Sequence, residues 1–324
     1  MARVVRITTG SRLHFGLMSL AGGDRAFAGV GAMLEAPQLV LEARESAGFS
    51  ILGEHATRIL TAASRWQSQL QLKELPHCDL VPVVVPPQHT GLGVGTQLAL
   101  ATVAALEAFA DLPPLGAAEL AACSGRGKRS AVGTHGFMLG GLIVDGGKSG
   151  AALGELDCRI DLPSEWRFVL LCPRAQPGLA GEEESRAMAS LPQVASSTTD
   201  MLIREANEQL IPSAATHDFS TFAASLYRYG NIAGSFFASI QQGNYNGPLL
   251  TAWVEWLREN GCEGVVQSSW GPTLAVVMPS EERAADLCEK VRSCIAHQQA
   301  PSELASLIMS RPRNTGASIE IFSP

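Results

Sequence analysis

Three glycines in five positions, set between an apolar strand and a long run of small residues, constrain this chain more than anything else in it. Residues 86–110 read Pro-Pro-Gln-His-Thr-Gly-Leu-Gly-Val-Gly-Thr-Gln and then Leu-Ala-Leu-Ala-Thr-Val-Ala-Ala-Leu-Glu-Ala-Phe-Ala. An extended segment, residues 80–85, must enter a turn and leave it as a helix. Gly91, Gly93 and Gly95 let the backbone adopt dihedrals closed to other residues and approach a ligand closely. Thr96 is expected to cap the helix that follows. Unpaired amides and the positive helix end then converge on one spot, which suits an anion, with phosphate the natural occupant. Such a turn also serves as a plain tight connection. It is not a Walker A loop, because no lysine lies between Gly95 and Thr96. It is not a dinucleotide fingerprint, because Pro86, Pro87 and residues 88–90 separate it from its strand.

With 324 residues, 46% of them hydrophobic and 17% charged, the chain has material for two packed domains and little reason for disorder. A net charge of −7 argues against a general nucleic-acid binder, so any anion site has to be local. Seven cysteines without a Cys-x-x-Cys pair favour free thiols in a reducing compartment. No apolar run has the length of a membrane span, and the first nine residues do not resemble a signal peptide. The expected location is cytoplasmic.

Two further stretches stand out. Residues 125–136, Gly-Arg-Gly-Lys-Arg-Ser-Ala-Val-Gly-Thr-His-Gly, place Arg126, Lys128 and Arg129 within four positions of an acidic protein. A solvated basic turn would look similar; the functional reading is a second anion clamp facing the glycine loop. Residues 264–273 leave a short apolar strand with the donor-rich Gln267, Ser268 and Ser269 before Trp270-Gly271-Pro272, where a simple hairpin turn is the other reading. Near the N-terminus, Arg12 and His14 fall on one face of an extended segment, being two apart.

Elsewhere the pattern predicts strands over residues 4–8, 27–34, 38–43, 166–172, 274–278, 304–310 and 317–322, and a buried strand over 137–145. Helices are expected over 55–72, 115–123, 193–209, 217–241, 248–260 and 281–297. Glu182, Glu183 and Glu184 suit a helix start by charge alone, and a Mg²⁺ role for them is the weaker reading.

Taken together, residues 10–17, 87–96 and 267–273 resemble the three motifs of the GHMP kinase superfamily, and the resemblance extends over the whole chain. It implies an α+β fold of two domains. An N-terminal βαβ-containing α+β domain (1–155) would hold the phosphate loop. A C-terminal ferredoxin-like domain (156–324) would cover the site. The kinases' serine pair is replaced here by Gly95-Thr96-Gln97. Where many of them place a catalytic aspartate, this chain reads Arg129-Ser130-Ala131.

These departures, with the blocks 11–16, 89–97, 125–130, 133–137 and 267–273, are similar to the β-ribofuranosylaminobenzene 5′-phosphate synthase branch. That resemblance implies condensation of phosphoribosyl pyrophosphate with 4-aminobenzoate or 4-hydroxybenzoate, releasing CO₂ and pyrophosphate, in methanopterin-type cofactor biosynthesis. It also implies a Mg²⁺ requirement, with metal ligands the sequence does not assign. The catalytic candidates are His14, Ser130 and His135. The candidates for substrate and phosphate binding are Arg12, Gly91, Gly93, Gly95, Thr96, Gln97, Arg126, Lys128, Arg129, Gln267, Ser268 and Ser269. The partners expected are these small molecules, with no nucleic acid or membrane, and a homodimer is left open. The alternatives are an ATP-dependent small-molecule kinase and a non-catalytic sensor of a phosphorylated metabolite.

Overall fold

The computed structural model describes residues 3–20, 25–150, 152–174, 178–179, 181–191 and 194–322, without the side chains of residues 184 and 185. The expected start of a helix at Gln193 lies outside the described residues.

The first half runs β1 (Val4–Leu17), β2 (Gly29–Glu45), β3 (Ser50–Ile51), α1 (Ala56–Gln69), β4 (Cys78–Val84), α2 (Val94–Phe109), α3 (Ala117–Ser124), α4 (Val132–Leu139), β5 (Leu142–Asp145) and β6 (Leu156–Ile160). β1 and β2 pair antiparallel along most of their length, with irregularities between Thr9 and Ser11 and between His14 and Gly16. Such bulges bend a strand and redirect its side chains, and they fall on either side of Arg12 and His14. β3, α1 and β4 form the one parallel crossover among the described strands, since Ser50 pairs with Asp79 and Ile51 with Leu80.

α2 is apolar nearly all round and is correspondingly buried from Gln97 to Glu107, against β1, β2, α1 and α3. Its N-cap is Gly93 in a left-handed conformation, with no side-chain cap. Thr96 therefore lies inside the first turn, its methyl facing Gly133, rather than capping the helix as expected. The predicted strand over 137–145 is also corrected. Residues 132–139 are helix α4, Gly140 and Gly141 turn with positive φ, and only Leu142–Asp145 is strand. A short apolar run fits either state by periodicity, and the paired glycines decide where the helix stops.

The second half runs β7 (Arg167–Pro173), α5 (Gly181–Ser190), α6 (Ser196–Glu205), a π-helical turn (Ala206–Leu210), α7 (Ile211–Ala215), α8 (Phe219–Ser235), α9 (Ala238–Gln241), α10 (Pro248–Glu259), β8 (Val265–Gln267), β9 (Leu274–Met278), α11 (Glu281–Ala296), β10 (Leu304–Ser310) and β11 (Ser318–Phe322). Among the described residues β10, β7, β9 and β8 lie in that order in one antiparallel sheet, the ferredoxin-like arrangement. The other sheet has seven strands and takes up β6 and β11 from beyond residue 155.

β7 alternates between two cores. Phe168 and Leu170 join the large core that also holds Leu13, Leu34, Leu98 and Leu106, while Val169 and Leu171 face Trp253, Val265 and Val291. The site lies where the glycine loop, β1 and the turn after β8 come together.

Candidate active site

Main-chain hydrogen bonds lock these three segments to one another. The Arg12 amide donates to Leu92 O at 3.0 Å. Ser268 Oγ accepts from the His14 amide at 3.0 Å and donates to Gly91 O at 2.8 Å. The Ser269 amide donates to His14 O at 2.9 Å, and the Thr273 amide to Thr90 O at 3.3 Å. Gly91 has φ +84°, and a Cβ there would fall 2.3 Å from Ser268 O. Two expected binding residues are thus fasteners. Ser268 is fully buried in this junction. Gln97 accepts from Thr9 Oγ1 at 2.8 Å and donates to Gly133 O at 3.0 Å, away from the cavity. Gln267 and Ser269 do line the cavity.

The cavity has a volume of about 380 Å³. Its lining includes the glycine loop, with Gly91, Gly93, Gly95 and Thr96, and the basic turn, with Arg126, Lys128 and Arg129. The two stretches singled out in the sequence therefore share one space. Arg12 approaches Gly93, where a Cβ would sit 2.9 Å from its Nε. Leu179, Phe237 and Trp270 add an apolar part to the lining, with the two aromatic rings 4.7 Å apart in an edge-on contact. Among the described residues no aspartate or glutamate lines this cavity.

A polar chain starts on the cavity lining, at His14 and Ser130. His14 Nε2 lies 3.0 Å from Ser130 Oγ, which donates to Asp145 Oδ2 at 3.0 Å. Asp145 also accepts from the Ala131 and Gly147 amides. With its one proton committed to Asp145, Ser130 accepts from the His14 Nε2–H, which leaves Nδ1 as a neutral acceptor. Burial, then the charges of Arg12 and Arg129, push the His14 pKa down to about 3. Burial raises that of Asp145, against the pull of the Ala131 and Gly147 amides and the Ser130 hydroxyl. His135, the other histidine expected to be catalytic, is not on the cavity. It is buried in α4 with Nε2 2.8 Å from Gly154 O, a structural role.

Sequence reasoning missed Arg58 and Asp145. Arg58 lines the cavity from α1, and Arg65 lies seven residues on, where its side chain meets Gly125. The available signal was that spacing, which puts two arginines on one helix face. For Asp145 it was a single carboxylate closing an apolar strand.

The residues present do not fit a protein-held Mg²⁺. That ion prefers carboxylate and phosphate oxygens, whereas among the described residues the cavity's charged side chains are cationic. Among the described residues no group of three or more His, Cys, Asp or Glu gathers to hold a metal. Glu182 and Glu183 are exposed on α5.

Residues 210–297 match the family described as GHMP kinases C terminal. A protein of Methanothermobacter thermautotrophicus named beta-ribofuranosylphenol 5′-phosphate synthase is 28% identical over 96% of this chain and 97% of its own. A protein of the same name from Archaeoglobus fulgidus is 28% identical over 98% of this chain and 100% of its own. Among solved structures, mevalonate pyrophosphate decarboxylase from Streptococcus pyogenes superposes with a TM-score of 0.64 at 13% identity, covering 96% of this chain and 97% of the other. The chain has the two-part GHMP kinase fold, and its sequence resembles the synthases from end to end. No described helix is long and apolar enough to cross a membrane.

Proposed function

We propose that this chain is a decarboxylating phosphoribosyltransferase. It joins the ribose of phosphoribosyl pyrophosphate to the ring carbon of a 4-substituted benzoate, with loss of CO₂ and pyrophosphate. The observation that carries the reading is the cavity itself. A glycine loop and a bank of guanidinium groups share it with an apolar aromatic end, and no described carboxylate intrudes. A donor with a phosphate at one end and a diphosphate at the other fits the charged walls. A flat benzoate fits against Phe237 and Trp270. The names of the relatives favour 4-hydroxybenzoate as the acceptor.

The chemistry suits these residues. The ring carbon bearing the carboxylate forms a bond to the anomeric carbon as the C–O bond to diphosphate breaks, and the diphosphate leaves with that electron pair. Loss of CO₂ returns a pair to the ring and restores aromaticity, so no net proton enters or leaves. The para substituent feeds electrons to the ring, and it does so better when its O–H or N–H donates to a neutral acceptor. His14, held by Ser130 and Asp145, is that acceptor. The guanidinium groups favour the developing negative charge of the leaving group. Mg²⁺, which the resemblance implies, finds no carboxylate site among the described residues of this cavity, and no step above uses it.

An ATP-dependent kinase is the weaker reading. A kinase gains from a carboxylate that accepts the substrate hydroxyl proton, and among the described residues the cavity wall offers none. The test combines protein, donor and carboxyl-labelled 4-hydroxybenzoate or 4-aminobenzoate and measures labelled CO₂ and pyrophosphate. Stoichiometric release of both is expected. Absence of both with either benzoate, alongside ADP formation from ATP and an alcohol, would replace this reading with the kinase.

A further inference from the structure

We infer that Arg58 and Arg126, with Arg65 beside them, form the seat of the leaving diphosphate, and that this guanidinium cluster does the charge neutralisation that a protein-held metal does in many phosphate sites. The inference rests on the phosphoribosyltransferase reading for the identity of the anion. The seat itself stands on separate geometry.

Arg58 comes from α1, an element outside the glycine loop and the basic turn. Its guanidinium lies directly on the loop, so that a Cβ at Gly95 would fall 1.7 Å from Nη1. Arg65 lies along Gly125 in the same way, its Nε 3.0 Å from where a Cβ would be. Arg126 lines the cavity with Arg58 and feels the charges of Arg58 and Arg65. Its Nε is buried without a hydrogen-bond partner among the described residues. Neither Arg58, Arg65 nor Arg126 has a carboxylate partner among those residues, although the chain carries 31 acidic residues and pairs many of its other arginines. Burial, then the charges of Arg58, Arg65 and Arg129, pull the Arg126 pKa down to about 10. Arg58, Arg65 and Arg126, like charges with no carboxylate partner among the described residues, are costly to hold together unless an anion joins them.

The position selects the diphosphate over the 5′-phosphate. A second cavity of about 500 Å³ adjoins the first and shares Arg58, Gln88 and Arg126 with it. The more highly charged end of the donor belongs where the cations are densest. Once the C–O bond breaks and the diphosphate has taken the electron pair, the side cavity gives it a path away from the new C–C bond. The monophosphate is left to the remaining amides of the loop and Arg12.

The experiment is calorimetric titration of the protein with inorganic pyrophosphate and, separately, with ribose 5-phosphate, in chelator and again with Mg²⁺. The proteins compared are the unmodified chain, Arg58→Ala and Arg58→Lys. Losing a charge-assisted pair weakens binding by about tenfold or more. The expected result is that loss for pyrophosphate in Arg58→Ala, a smaller loss in Arg58→Lys, ribose 5-phosphate within about twofold, and measurable pyrophosphate binding in chelator. Pyrophosphate affinity unchanged in Arg58→Ala would overturn the seat. So would equal losses for both ligands, which would mean a diffuse charge effect. If Arg58→Ala does not fold, Gly95→Ala tests the same point by displacing the Arg58 guanidinium, and must also cost pyrophosphate binding selectively. A protein that binds pyrophosphate through Arg58 yet releases no CO₂ from a benzoate keeps the seat and overturns the reaction. One that turns over with Arg58-independent pyrophosphate binding keeps the reaction and overturns the seat.

Discussion

Ser130 joins two residues that are far apart in the chain. It lies 116 positions from His14 and 15 from Asp145, yet its single hydroxyl sets which way both hydrogen bonds run. Replacing Ser130 by Ala frees the imidazole to change tautomer and leaves a buried carboxylate oxygen without one of its donors. Hydrogen bonds to charged groups contribute about 1.5–3 kcal/mol. Ser130→Ala should therefore lower kcat by about 10- to 100-fold while the KM for the phosphoribosyl donor stays within about twofold. Steady-state kinetics in both substrates check this; a rise in donor KM with unchanged kcat would make Ser130 a binding residue instead. The state of His14 makes a second prediction. Its pKa is pushed down to about 3 by burial and then by Arg12 and Arg129, so it stays neutral across the working range. The kcat profile should be flat from about pH 5.5 to 8, without the limb near 6.5 that an ordinary histidine gives. A limb there would show that His14 is not the acceptor, or that it is far more exposed in the working enzyme. Sequence alone exposed His14 and Ser130, because both sit in conspicuous glycine-flanked stretches. It could not expose Asp145 or Arg58, which earn their place only when a strand end and a helix face are folded against those stretches.

The elements read most clearly were those whose ends carry their own chemistry. α11 starts at Ser280, whose side chain accepts from the Arg283 amide, and acidic residues follow in its first turn. α4 carries no such mark, because its eight residues of mixed small and apolar character suit a buried strand as well as a helix. The glycine loop was legible as a loop, but not what it rests on. Gly91 is pressed against the turn after β8, so Gly91→Ala has to adopt φ +84° and push aside Ser268 O. A non-glycine residue pays about 1–2 kcal/mol for the left-handed conformation alone. Gly91→Ala should therefore lower the melting temperature and raise the donor KM together, which thermal unfolding and kinetics would measure.

α2 makes a separate prediction about pH. Glu107 is buried on it, and burial raises its pKa to about 7, with Glu119 adding to the rise and the Leu115 amide and Trp66 opposing it; Cys123 lies close by. A carboxyl whose folded pKa exceeds its unfolded value contributes stability that is full below about pH 4.5 and is lost as pH rises through about 7. Glu107→Gln cannot ionise. Its melting temperature should fall less than that of the unmodified chain between about pH 5 and pH 8, a difference worth about 2 kcal/mol. Parallel pH dependences would mean that Glu107 is solvated.

For the molecule as a whole, the larger core is not confined to either half suggested by the motifs, although a smaller one lies within the second half. β11 closes the first sheet by pairing with β1, Val4 opposite Phe322, a contact between the two ends of the chain that no local pattern in the sequence announces. Tyr229 on α8 donates to Gly16 O at 2.9 Å, and the turn after β8 holds β1 and the glycine loop. One hydrophobic core runs through residues of both sheets, Leu13 and Leu98 with Phe168, Phe222 and Val277. Chains of this length often unfold in steps, domain by domain. Here the larger core is shared, so removing the ferredoxin-like half would strip packing from β1 and open the cavity; the smaller core around Trp253 stays within that half, but its sheet also packs on the shared core through Phe168 and Leu170, which ties its unfolding to the rest. Calorimetry should therefore give one transition, with the van 't Hoff and calorimetric enthalpies in agreement, and pyrophosphate should move that whole transition upward, as expected for a ligand bound only by the folded state. Two resolved transitions, with only one of them moved by pyrophosphate, would mean that the halves fold independently and that the anion seat belongs to one of them alone.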